Sequence, residues 1–212
     1  MSHYEDEEQV EALKKWWQEN WKALAAGLGL GVGSILGWEG WQTHQQGTAA
    51  EASRIYAELQ EALTGEQLEA ADEMAARLKT DFSGTPYAAH AVLAVAAHLA
   101  EHGDFEAASE RLNWVVQRSD DEGLRHIARL RRARALWQLS RVDEALKLVN
   151  IDQAGSFTGL YAELRGDIRL SSGDRKAARA DYEAAMAALP PEAANRELLQ
   201  RKLDDLADVV NS

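Results

Sequence analysis

Charged side chains vanish from one stretch of the chain. The run WWQENWKALAAGLGLGVGSILGWEGW fills residues 16–41, and between Ala23 and Trp38 it carries no charge. A helix through that uncharged centre is roughly 24 Å long, short of a hydrocarbon core of about 30 Å. The flanks extend it. Trp16, Trp17 and Trp21 precede the centre, and Trp38 and Trp41 close it. Tryptophan favours both membrane–water boundaries. Lys22 and Glu39 can extend their charges outward along the helix. The pattern predicts one transmembrane helix over residues 21–42.

A buried helix of a water-soluble core fits this stretch poorly. Each of its glycines would cost about 1 kcal/mol relative to alanine, whereas membrane helices use glycine for close approach. A cleaved signal peptide needs a short basic start and a small-x-small cleavage site. Here the preceding segment is long and acidic, and Gly37-Trp38-Glu39-Gly40 is a poor cleavage site. Ala26, Gly29, Gly33, Gly37 and Gly40 fall on one helical face. That face suits a partner transmembrane helix, with general tolerance of glycine in membranes as the alternative. No strand precedes the glycines and no G-K-[ST] follows, so a phosphate loop is excluded.

Lys14, Lys15 and Lys22 precede the span, and the first basic residue after it is Arg54. This asymmetry places the N-terminus in the cytoplasm and residues 43–212 across the membrane, in the periplasm of a bacterium. Residues 1–20 then form a cytoplasmic acidic segment that begins disordered. From Glu8, the spacing of Val10, Leu13, Trp16 and Trp17 suggests a short amphipathic helix, or an extension of the span.

Beyond Gln42 the chain repeats. Hairpin turns are expected at Gly65-Glu66, Gly103-Asp104, Ser140-Arg141 and Gly173-Asp174, spaced by 38, 37 and 33 residues. The tetratricopeptide period is about 34. With each turn set at position 15, position 8 holds Ala96, Ala133 and Gly166 in the last three units. Position 20 holds Ala108, Ala145 and Ala178, and position 24 holds Leu112, Val149 and Tyr182. Small residues at positions 8 and 20 let two helices cross closely. Pro190 stops the last helix of the fourth unit. The first unit matches only in part, with Glu58, Ala70 and Met74 at these places. Arg129 and Arg132 occupy positions 4 and 7 of the third unit, where apolar residues are expected. The fold class is therefore all-α: a transmembrane helix followed by a tetratricopeptide-like helical-hairpin solenoid. Its units cover about 48–82, 85–119, 122–151 and 157–190, with a capping helix over 192–209. Leu198, Leu199, Leu203 and Leu206 are expected on the inner face of that cap.

Charge narrows the partners. Of a net −12, residues 1–22 carry −3, Glu39 −1 and residues 43–212 the remaining −8. An acidic distal domain argues against nucleic acid and anionic lipid. With no cysteine, the chain has no disulfide or thiolate chemistry. His98 and His102 share a helix face, but H-L-A-E-H misplaces the glutamate of a zinc-protease helix and shows no third ligand. No metal, cofactor or catalytic residue is assigned. Arg125, Arg129, Arg131, Arg132 and Arg134 form a basic cluster. It is expected to pair with nearby acids, or alternatively to dock an acidic segment. A solenoid of helix pairs offers a concave surface to peptides. Positions 2, 5, 9 and 12 should line it: His90, Leu93, Ala97 and Ala100, then Ile127, Leu130, Arg134 and Trp137. Trp137 could equally pack into the next repeat.

The opening YEDEEQVEALKKWWQENWKALAAG, the glycine-rich span ending GWEGW, and the segments RGD and SSGDRKAARADYEAA resemble the YfgM family. The resemblance runs nearly the whole length. It implies a single-span inner-membrane protein with a periplasmic tetratricopeptide domain, an ancillary subunit of the SecYEG translocon. It further implies association with the periplasmic chaperone PpiD, transfer of translocated client proteins to periplasmic chaperones, and a cytoplasmic tail linked to a stress-response regulator. No catalytic motif comes with the family. An envelope or cell-division scaffold with a similar anchored repeat domain is the alternative.

Overall fold

The computed structural model describes residues 2–151 and 154–207. Side chains are described for fewer residues of the first helix, and Ala26 and Gly40 are outside that set. The described residues form nine α-helices: α1 (Ser2–Thr64), α2 (Leu68–Asp81), α3 (Pro86–Glu101), α4 (Phe105–Arg118), α5 (Glu122–Gln138), α6 (Val142–Val149), α7 (Thr158–Ser171), α8 (Arg175–Ala188) and α9 (Arg196–Ala207). A single 3-10 turn, Gly155–Phe157, precedes α7.

The chain divides into two compact units, Met1–Glu51 and Ala52–Ser212. In the first, α1 runs unbroken from Ser2, so the expected disordered start is replaced by helix, and of the two readings of the segment from Glu8 the extension of the same helix is the one seen. Leu28, Leu30, Val32, Ile35, Leu36, Trp38 and Trp41 are all exposed on it. A Cβ added at Gly29, Gly33 or Gly37 would meet no atom within 4 Å. No helix among the described residues is long and apolar enough to cross a membrane. The uncharged part of α1 is short, and glycine fills much of it.

In the second unit, successive helices form antiparallel hairpins, and one backbone device closes each turn. The residue at position 15 takes a left-handed φ: 58° at Glu66, 83° at Gly103, 60° at Ser140 and 85° at Gly173. The following amide donates five residues back in every case, from Gln67 to Ala62, Asp104 to Leu99, Arg141 to Leu136 and Asp174 to Arg169, at 2.8–3.0 Å. This is the Schellman ending of a helix. Asp104 and Asp174 then cap the next helix by accepting from the amides of Ala107 and Ala177.

The device corrects the register of the first unit. Glu66, not Gly65, is the counterpart of Gly103. Position 8 is therefore Leu59, position 20 is Ala71 and position 24 is Ala75, all buried. The partial match at Glu58, Ala70 and Met74 came from an offset of one residue.

Burial follows the repeat. One apolar cluster joins the end of α1 to α2 and α3. A second fills the space among α3, α4 and α5, and a third that among α5, α6 and α7. A fourth lies under α9, where Leu199 and Leu206 are buried and Leu203 packs alongside. Leu198, expected on that face, is exposed, because residues 199, 203 and 206 already define the inner stripe. Lys202 of α9 donates to Glu163 Oε1 at 3.0 Å and Asp167 Oδ1 at 2.7 Å, fixing the cap to α7.

The third unit shows how a core position tolerates arginine. At position 7, Arg132 extends between α4 and α5, and its Nη1 donates to Asn113 Oδ1 at 2.7 Å. Its Nε is buried with no partner. In the fourth unit, Arg165 holds the same position, and Asp181 on α8 receives it. The third-unit counterpart of Asp181 is Leu148, so Arg132 lacks that carboxylate. Burial holds the Arg132 guanidinium below its ordinary pKa. Arg132→Met should raise stability by about 1–3 kcal/mol, since an unsatisfied buried donor carries that penalty. Urea unfolding of the two proteins checks this.

Candidate functional site

The expected binding positions separate into core and groove. Leu93 and Leu130 are buried in the α3–α4–α5 and α5–α6–α7 clusters respectively. Ile127 is half-buried against the α3–α4–α5 cluster. Trp137 is half-buried, and its indole N–H donates to Ser171 Oγ on α7 at 2.9 Å. It therefore packs into the next repeat. His90 is exposed, with its ring 6.3 Å from that of Tyr56.

Ala97, Ala100 and Arg134 line an open groove of about 390 Å³ between α3 and α5. Alanines and the edges of Phe105 and Leu112 form its floor, and Glu101, Arg131, Arg134 and Gln138 form its rim. Short side chains at positions 9 and 12 of the second unit create the depression. A larger residue there would fill it.

The arginines of α5 depart from the expected pairing with acids. Arg125 donates to the Ser119 carbonyl at 2.8 Å, and Arg132 to Asn113. The Arg129 guanidinium lies near the Tyr161 hydroxyl and acts to lower its pKa, against the larger effect of burial. Among the described residues, no carboxylate lies within salt-bridge reach of Arg131 or Arg134, so the groove rim keeps exposed positive charge on an otherwise acidic domain.

His126 meets the same Tyr161 hydroxyl through Nδ1 at 2.9 Å. Its ring stacks on Phe157 at 4.8 Å. Burial first, and then the charge of Arg129, hold its pKa below the ordinary histidine value. The neutral ring can accept from the Tyr161 hydroxyl. This histidine is a packing element of the α5–α7 junction. His98, largely enclosed, and His102, exposed, stand at the foot of α3 and face Glu66.

Repeated hairpins, an open groove between first helices, and a stack closed by a cap helix define a tetratricopeptide-like repeat protein. Residues 14–208 match the family described as the tetratricopeptide repeat-like domain. An Escherichia coli (strain K12) protein named ancillary SecYEG translocon subunit is 35% identical over 98% of this chain and 100% of its own length. A Haemophilus influenzae protein of the same name is 36% identical over 85% of this chain and 88% of its own. One from Aggregatibacter actinomycetemcomitans is 30% identical over 95% and 98%. The chain belongs to this YfgM family of tetratricopeptide-like proteins, as its N-terminal and repeat segments suggested.

Proposed function

We propose that the protein is an ancillary subunit of the SecYEG translocon, a non-enzymatic adaptor that passes translocated clients to periplasmic chaperones, with PpiD as its chaperone partner. The near full-length similarity to relatives carrying that subunit name is the observation that carries the reading. In this reading, residues 21–42 of α1 hold the protein in the inner membrane, with residues 1–20 cytoplasmic and 43–212 periplasmic. A cytoplasmic tail of this kind could meet a stress-response regulator.

Two features of the chain support the anchor. Its apolar side chains from Leu28 to Trp41 are exposed around the helix and need an apolar surrounding. The uncharged centre is about 24 Å long, so tryptophans at both ends and the reach of Lys22 and Glu39 bring the segment to membrane thickness. The Gly29–Gly33–Gly37 face, extended by Ala26 and Gly40, packs against a translocon or partner helix.

The repeat unit does the binding. The groove between α3 and α5 is open and small-floored, and Arg131 and Arg134 attract carbonyl-rich or acidic chain segments. Anchoring raises the groove's local concentration at the pore exit, so weak contacts suffice. The protein should remain with membranes after carbonate extraction, and a reporter fused after Ser212 should report the periplasm. Release by carbonate, or a cytoplasmic reporter, would contradict the anchor.

A further inference from the structure

The geometry points to a divalent transition-metal site at the foot of α3, in which Glu66, His98 and His102 hold Zn²⁺. His98 and His102 lie one turn apart, with ring centroids separated by 4.2 Å. The third donor comes from another hairpin. Glu66, in the turn after α1, places Oε2 at 3.6 Å from His98 Nε2 and 3.1 Å from His102 Nε2. All three donor atoms lie within 4.8 Å of one another. Zinc–nitrogen and zinc–oxygen bonds of about 2.0–2.1 Å at tetrahedral angles set donor separations of about 3.3–3.4 Å. The two distances to the carboxylate bracket that value.

The surroundings prepare the donors. His102 Nδ1 donates to the His98 carbonyl at 2.8 Å. A carbonyl on Nδ1 fixes the tautomer and leaves the Nε2 lone pair facing the cluster. Glu66 holds a left-handed φ of 58°, a strained conformation for a residue with a side chain. The equivalent turns place Gly103, Ser140 and Gly173 there, so only the first repeat sets a long carboxylate at this point.

The donor set selects the ion. Two imidazoles with one carboxylate suit zinc and its neighbours, whereas magnesium and calcium require mostly oxygen. His102 and Glu66 are exposed, leaving the fourth position to water. No general base stands beside that position in the manner of H-E-x-x-H, so the site is a clip. It ties the first turn to the end of α3 and thereby fastens the first repeat to the second.

The test uses the tag-free, full-length protein in mild detergent, stripped with chelator and titrated calorimetrically with ZnCl₂ at neutral pH, with MgCl₂ as the control. One Zn²⁺ per chain, no response to Mg²⁺ and a raised melting temperature are expected. Glu66→Gln and His102→Ala should each weaken zinc binding at least about tenfold, the range for disturbing a metal site. Both side chains are exposed, and circular dichroism checks that the variants keep the fold. Absence of zinc binding, or binding unchanged in both variants, would overturn the site and leave a histidine–glutamate ion pair.

Discussion

Asp181→Ala will lower the stability of the repeat unit by about 3–5 kcal/mol, the usual cost of breaking a buried ion pair from one side. Asp181 is 4% exposed on α8. It accepts from Arg165 Nε and Arg169 Nη1, each at 2.7 Å. Arg165 is itself largely enclosed, with a side chain 12% exposed. Truncating the carboxylate removes the acceptor that the largely enclosed Arg165 shares with the partly exposed Arg169 and leaves two like charges facing each other. The Coulomb term there changes from attraction to repulsion, and the desolvation already incurred loses its main compensation. Asp181→Asn keeps the shape and some hydrogen bonding, so it should cost less than the alanine variant. Urea unfolding of the three proteins measures both differences. A loss below about 1 kcal/mol for the alanine variant would mean that the triad is solvated in the manner of a surface pair.

Gly166→Val will destabilise the α7–α8 hairpin by about 1–3 kcal/mol or more, the range for overpacking a core. A Cβ at Gly166 would lie 2.5 and 2.6 Å from ring carbons of Tyr182. That ring cannot swing away freely. It is 1% exposed, and its hydroxyl donates to Asp167 Oδ1 at 2.8 Å. Burial, with that carboxylate, holds the phenol well above its ordinary pKa, so it remains a donor. Glycine inside a helix costs about 1 kcal/mol relative to alanine, and here the close crossing offsets that cost. Thermal melting of Gly166→Ala and Gly166→Val should show a graded loss. Full stability of the valine variant would show that the two helices separate at little cost.

The positions that packing constrains were legible in the sequence. In the last three units positions 8 and 20 are small where the two helices cross, as Ala96, Ala108, Ala133, Ala145, Gly166 and Ala178 show, whereas the first unit keeps the small residue only at position 20, with Leu59 at position 8 and Ala71 at position 20. The turns were legible because Gly103 and Gly173 sit where the backbone needs a left-handed φ. The first turn was misread by one residue. Glycine at 65 matched the usual preference, but the left-handed residue is Glu66, and no composition rule anticipates a glutamate there.

Long-range partners were the illegible part. Asp181 receives Arg165 from 16 residues away, and Glu66 meets His98 from 32 residues away. Periodicity reports which face a residue occupies and says nothing about what stands opposite. The same limit applies to the binding positions. A common register placed Leu93, Ala97, Leu130 and Trp137 on one surface, yet adjacent repeats bury some of these and expose others. Residue size decided the difference: alanine at positions 9 and 12 leaves a groove, while leucine and tryptophan reach across to the neighbouring unit.

A photo-reactive amino acid placed at Gly33 or Gly37 in intact cells tests the translocon assignment most directly. Adducts to the membrane subunits of the SecYEG translocon, or to a chaperone anchored beside it, are the predicted outcome. Adducts confined to cell-division or envelope-scaffold proteins would contradict it.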